Sequence, residues 1–248
     1  MANVRTQDDG VVRHVVLTRP EKRNAMNGEL LEELGEALAD AGGDPTVQAI
    51  VLRGEGPVFS AGVDLGDLGQ SAANIPMLRS FRDVFLRCAN LCEAVTKPVV
   101  CQIHGACFGG ALEVALGCDL RVATPDAKFG LPEVRFGIIP DVGGSTRLPA
   151  VVGVGRAKEL IMTGRTIDAV EGERIGLVNR VAEPDDLDAA VEELVGELLA
   201  GSHLAVGRAK HVIDAVARPT ITQSLEMEIA TQEFLVQAAA AAAAAQEG

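Results

Sequence analysis

The 248-residue sequence contains no tryptophan and no tyrosine, and it is poor in basic residues: 22 Lys plus Arg stand against 35 Asp plus Glu, a formal charge of −13. A nucleic-acid surface needs positive charge to neutralise phosphates and, for single strands, aromatic rings on which bases stack. Nucleic acid is therefore excluded as the expected partner, and any anionic ligand must meet a local basic cluster or aligned backbone N–H groups. The five cysteines, Cys88, Cys92, Cys101, Cys107 and Cys118, are odd in number and form no C-x-x-C. That pattern argues against a disulfide framework or a zinc site and predicts buried thiols in a reducing compartment. The four histidines are scattered and none sits in H-E-x-x-H, so no metal is expected. No 18-residue apolar run is free of charge, and the start, MANVRTQDDG, has neither a basic nor an apolar region. Neither a membrane span nor a signal peptide is expected, and the protein reads as cytoplasmic.

The composition that remains, 48% hydrophobic and 23% charged, is that of a folded globular chain. Strand and helix signals alternate through the first third. Val11–Thr18 reads as a strand, Asn27 as the N-cap of a helix carrying Leu30, Leu31, Leu34 and Leu38, and Ala49–Leu52 as a short buried strand. A glycine-rich loop is expected over residues 54–69. Leu78, Phe81, Phe85, Cys88 and Cys92 recur at helical spacing and predict a long helix over 75–94. Val99–Ile103 and Leu120–Ala123 read as further strands, and Gly109-Gly110 opens a helix. The succession suggests repeated strand–strand–helix units rather than a doubly wound sheet. Past Val154 the chain turns mainly helical, with an acidic face on the 187–198 helix read as solvated. Residues 203–218 are amphipathic. Ala238–Ala245 is an alanine run that favours helix but carries no side-chain information.

Two loops hold the chemistry. Phe59-Ser60-Ala61-Gly62-Val63-Asp64-Leu65 crowds small residues after a core strand, and His104 to Glu113 passes from strand to helix through three glycines. A helix N-terminus leaves N–H groups unpaired, and glycines admit a ligand close to the backbone. If the Val63 and Gly110 N–H groups converge, they form a two-donor oxyanion hole. Glu113 lies three residues into that helix between apolar neighbours, and Glu133 follows in a second apolar stretch. Two acids in such surroundings should have raised, separated pKa values suited to acid–base work. The ordinary alternative pairs Glu113 with Arg121 or Arg135 and leaves Glu133 in solvent. Gly153-x-Gly155 lacks the third glycine of a dinucleotide loop.

The stretch Ile103–Pro149, IHGACFGGALEVALGCDLRVATPDAKFGLPEVRFGIIPDVGGSTRLP, with RPEKRNAM (Arg19–Met26) and FSAGVDL (Phe59–Leu65), resembles the enoyl-CoA hydratase/isomerase (crotonase) superfamily, most closely the hydratases. The resemblance implies an α/β superhelix of ββα units over residues 1–190 containing the active site. It also implies a helical region over 191–248 that builds a homotrimer or homohexamer. It places Val63 and Gly110 at the oxyanion hole and Glu113 and Glu133 at the two glutamates that hydratases use. Ala25, Ala61, Asp64 and Leu65 fall along the CoA path, with Lys22 and Arg23 as candidates for the phosphates. The implied reaction adds water across the C2=C3 bond of a 2-enoyl-CoA, with no cofactor beyond the CoA of the substrate.

Two features depart from the hydratase pattern. Asp141 stands where many hydratases carry glycine, and isomerases of the family often place an acid there. Asp141 is thus a candidate second acid, and an enoyl-CoA or dienoyl-CoA isomerase using Glu133 and Asp141 is the second expectation. A capping role near Ser145 is its ordinary alternative. The chain also ends at Gly248 after the alanine run, where relatives usually continue with a further helix, so either a tail is missing from this sequence or the pocket is closed differently. A non-catalytic scaffold binding acyl-CoA or protein is the third reading.

Overall fold

The computed structural model describes residues 2–71, 74–217 and 220–247. Its larger sheet has six strands in the order β1-β2-β3-β4-β6-β9: Val4–Asp9, Val12–Leu17, Ala49–Gly54, Val99–Ile103, Leu120–Ala123 and Arg180–Val181. Only the β1–β2 hairpin is antiparallel. A smaller sheet joins β5 (Ala106–Phe108), β7 (Lys128–Gly130) and β8 (Ile167–Asp168). Ten α-helices accompany them among the described residues. In chain order, α1 is Gly28–Gly43, α2 Leu65–Ser71, α3 Ile75–Ala94, α4 Gly110–Gly117, α5 Gly144–Val152 and α6 Val154–Thr163. The last four are α7 Ala169–Arg174, α8 Leu187–Leu199, α9 His203–Ala217 and α10 Ile221–Glu247.

The central strands are buried on both faces, and their period of two divides the interior. Ile50, Leu52, Val99 and Cys101 face the main core shared with α1, α3 and α4, whereas Ala49, Val51, Val100 and Val122 face Leu187, Val191, Leu194 and Val195 of α8. Each buried aliphatic side chain of that α8 stripe contributes about 1.5–3 kcal/mol. The opposite, acidic face of α8 is solvated, as its spacing suggests. The boundary expected at residue 190 falls within this helix.

The repeats position the site. The second repeated unit sends β4 to the large sheet, β5 to the small one, and then forms α4. The small layer continues through two single bridges, Ser60 to Cys107 and Met26 to Val63, so the loops after β2 and β3 lie side by side with β5. Asn24 fastens those loops. Fully buried and with φ of 52°, it donates from Nδ2 to the carbonyls of Glu55 (2.8 Å), Val58 (3.0 Å) and Phe59 (3.0 Å). Its Oδ1 accepts from Arg19 N–H at 2.9 Å.

Most expected elements stand where the periodicity puts them. Asn27 caps α1 by accepting from Leu30 N–H at 3.0 Å, and the helix expected over 75–94 spans Ile75–Ala94. The glycine-rich stretch 54–69 is not loop throughout, because Asp64 starts α2 by accepting from Gly66 N–H at 3.0 Å. Strand β1 escapes sequence reading since it is an exposed, polar edge. Of the expected 203–218 helix, residue 218 lies outside the described residues, and the alanine run belongs to α10.

Asn24→Asp should lower unfolding free energy by roughly 3–5 kcal/mol, because it sets a carboxylate against three buried carbonyls that lose their donor. Urea denaturation at neutral pH measures this; a loss under about 1 kcal/mol would contradict the fastening role.

Candidate active site

Helix α4 is buried along its whole length, and Glu113 is the one acid in it, 3% exposed. A buried carboxylate needs hydrogen bonds. Oε1 of Glu113 accepts two, from Val142 N–H at 3.0 Å and Gly144 N–H at 2.7 Å. Gly144 allows this close approach, since a Cβ there would lie 2.8 Å from Oε1. The anticipated alternative of an ion pair fails. Arg121 spends its guanidinium on the carbonyls of Ala115, Cys118 and Leu177, and exposed Arg135 reaches only the Thr163 carbonyl.

Glu133 opens a 3₁₀ turn, Glu133–Phe136. Its Oε2 is buried without a hydrogen-bond partner among the described residues, and Oε1 lies so near Gly109 that a Cβ there would come within 2.8 Å. Gly109, at φ 52° and ψ −129°, caps α4 in a conformation suited to glycine. A Cβ on the next residue, Gly110, would strike Phe85 at 2.5 Å. The glycine pair thus serves both backbone shape and close packing.

Val63 and Gly110 line one cavity with Glu113, Glu133 and Asp141. Both N–H groups are spared by the local hydrogen bonding. The bridge at Val63 runs from Met26 N–H to Gly62 C=O (2.8 Å) and from Asp64 N–H to Met26 C=O (2.9 Å), passing over Val63 N–H. Gly110 N–H is the first of its helix, and the carbonyl four residues back, that of Ala106, accepts from Ser60 instead. The cavity holds about 50 Å³ and is walled by Leu68, Leu78, Phe81, Phe85, Ile138 and Ile139. Phe81 and Phe85 meet edge to face at 5.5 Å.

Asp141 also lines this cavity, and its Oδ2 has no hydrogen-bond partner. Arg82 stands 3.7 Å from that oxygen while donating to the Asp141 carbonyl at 2.7 Å. Burial raises the pKa of all three acids. Glu113 is pushed well above the usual carboxylate range by burial, then by the charges of Glu133 and Asp141. Burial takes Glu133 up to about 7, with Asp141 adding to it. Asp141 also rises to about 7 by burial, against the pull of Arg82. The Gly144 amide on Oε1 works the other way and favours the Glu113 anion, against the larger effect of burial.

The remaining site candidates are not among the residues that line this cavity. Lys22, Arg23, Ala61 and Leu65 are exposed, Ala25 is half-buried, and Ala61 N–H donates to Arg23 C=O at 2.9 Å. The carboxylate of Asp64 is engaged within the protein: it pairs with Arg19 at 2.8 Å and caps α2. Sequence reading missed Arg82 and two residues of α10. Glu228 and Gln232 are buried against the Ile139–Thr146 segment, in a stretch whose letters resemble an ordinary solvated helix.

A family model described as enoyl-CoA hydratase/isomerase matches residues 7–247. A short-chain-enoyl-CoA hydratase of Clostridium acetobutylicum is 35% identical over 227 residues, covering 91% of this chain and 86% of that protein. A crotonyl-CoA hydratase of Syntrophomonas wolfei is 37% identical over 213 residues, covering 86% and 81% respectively. The crystal structure of an enoyl-CoA hydratase from Bacillus halodurans superposes with a TM-score of 0.88 at 28% identity, over 94% of this chain and 95% of that one.

The raised value of Glu133 has a sign that stability can report. Near 7 in the folded state against 4.5 ordinarily, its stabilising contribution is present below about pH 4.5 and lost as pH rises through 7. Glu133→Gln should therefore gain about 2–3 kcal/mol on the wild type between pH 5 and pH 8. Denaturation at both pH values measures it, and an unchanged difference would mean that the carboxyl is not held protonated.

Proposed function

The chain belongs to the enoyl-CoA hydratase/isomerase family, and from that premise we propose that it hydrates the C2=C3 double bond of short 2-enoyl-CoA thioesters. The observation that supports this reading is that Glu113, Glu133, Val63 and Gly110 line one cavity, with the Val63 and Gly110 N–H groups spared by the hydrogen bonding among the described residues. The thioester oxygen sits between Val63 N–H and Gly110 N–H, the latter at the positive end of α4. As water attacks C3, negative charge moves to that oxygen, and each donor is worth about 2.7–4 kcal/mol to the enolate. Glu113, oriented by the Val142 and Gly144 amides, takes a proton from the water as its anion. Glu133 gives its proton to C2. Glu113 then holds a proton and Glu133 a charge, and transfer of one proton between them resets the pair. Water and the thioester are the only reactants. Exposed Lys22 and Arg23 offer charge to the CoA phosphates, which offsets the acidic balance of the chain.

The acyl chain points toward Leu78, Phe81 and Phe85, whose close packing leaves little length beyond the reacting carbons. A four-carbon chain suits this wall better than a long one. Asp141 supports a second activity, because its unpartnered oxygen faces the same cavity. An acid there can return a proton to C4 after Glu133 has acted at C2, which shifts a double bond.

Crotonyl-CoA should lose its conjugated-thioester absorbance in the presence of the protein, faster than a 2-dodecenoyl-CoA. Glu113→Gln and Glu133→Gln should each slow hydration by roughly 10²–10⁴-fold. Hydration unaffected by either substitution would overturn the assignment. Asp141→Ala should spare hydration and abolish conversion of a 3-enoyl-CoA to the conjugated isomer.

A further inference from the structure

Helix α10 is inverted relative to an ordinary surface helix. Glu228 and Gln232 are buried to 4% and 2% exposure, while Met227 and Phe234 stand about two-thirds or more exposed. A helix docked merely to cover apolar surface would turn the other way. Its inward face instead makes polar contacts with the segment that cradles Glu113. Oε2 of Glu228 accepts from Gly143 N–H at 2.9 Å, and its other oxygen accepts from the Thr146 hydroxyl. Gln232 Oε1 accepts from Ile139 N–H at 3.0 Å, and the Leu225 carbonyl accepts from Arg82 at 2.8 Å. Three successive amides are thereby divided between two carboxylates. Val142 and Gly144 donate to Glu113, and Gly143 between them donates to Glu228.

We propose that Glu228 is a positioning residue, whose bond to Gly143 fixes the turn that presents the flanking amides to Glu113, so that docking of α10 completes the active site. An amide pair swung away by a fraction of an ångström would weaken its hold on Oε1, and Glu113 would lose its orientation and the amide bonding that favours its anion. Glu228 also bears on the charge of the site. It faces Arg82 from α3, Thr146 and Arg147 from α5, Glu113 from α4 and Asp141 from the preceding loop. Its negative charge, like those of Glu133 and Asp141, disfavours ionisation of Glu113.

The kinetic arm of the test rests on the hydratase reading; a second arm does not. Glu228→Ala should lower kcat for crotonyl-CoA by roughly 10- to 100-fold while KM changes far less, as for a displaced catalytic group. Glu228→Gln keeps an oxygen for Gly143 and should recover most of that loss. Lacking the charge, it should also shift the acidic limb of the kcat profile to lower pH. Independently, amide hydrogen exchange should quicken at Val142–Gly144 in Glu228→Ala and remain slow in Glu228→Gln. Wild-type protein that hydrates nothing would sink the hydratase reading, yet exchange would still judge Glu228. Unchanged exchange in Glu228→Ala overturns the proposal. So does a fall in kcat that follows thermal stability and is not rescued by glutamine.

Discussion

The architecture of the site follows from one costly arrangement: a carboxylate on a helix that is otherwise wholly apolar. Without the amides of Val142 and Gly144, Glu113 would stand among core side chains with no donor, an arrangement that costs several kcal/mol. Much nearby structure serves that pair of bonds. Gly144 must lack a side chain, α5 must begin where it does, and the Ile139–Thr146 segment must be held from outside. Arg147 shares in this. Completely buried, it pairs with Glu93 through two bonds and also donates to the Val142 carbonyl at 3.2 Å, so α3 and α5 grip the same turn.

The two-layer sheet supplies the other half. Because each repeat places one strand in the large sheet and another segment in the small layer, loops far apart in sequence come side by side without long excursions. Residues 23–26, 59–64 and 106–110 meet in this way, and Asn24 sets their spacing through four hydrogen bonds. Amide donors on such a framework are oriented before any ligand arrives, which is the condition for electrostatic catalysis to be effective.

Much of this was legible in the letters. Apolar periodicity located α1, α3 and the central strands because those elements bury a regular stripe or both faces. The isolation of Glu113 among apolar neighbours, and the double glycine before it, marked the helix that lines the cavity. Strand β1 was hidden because it is polar and paired on one side only, and α2 because its start depends on the Asp64 side chain. The contribution of α10 was least visible. The letters of SLEMEIATQEF resemble an ordinary solvated helix, and tertiary hydrogen bonding to the Ile139–Thr146 segment is what turns its Glu228 and Gln232 inside.

The five thiols are buried, and their pKa values are raised, by burial for Cys88, Cys101 and Cys107 and first by hydrogen bonding to another thiol for Cys92 and Cys118; that of Cys88 is pushed up to about 12. Alkylating agents and mild oxidants react with thiolate, which such an interior withholds. In the intact molecule sulfur is chemically silent. Covalent labelling at these positions would therefore count the moments when the interior parts, making the cysteines an internal clock of breathing motions rather than participants in the chemistry beside them.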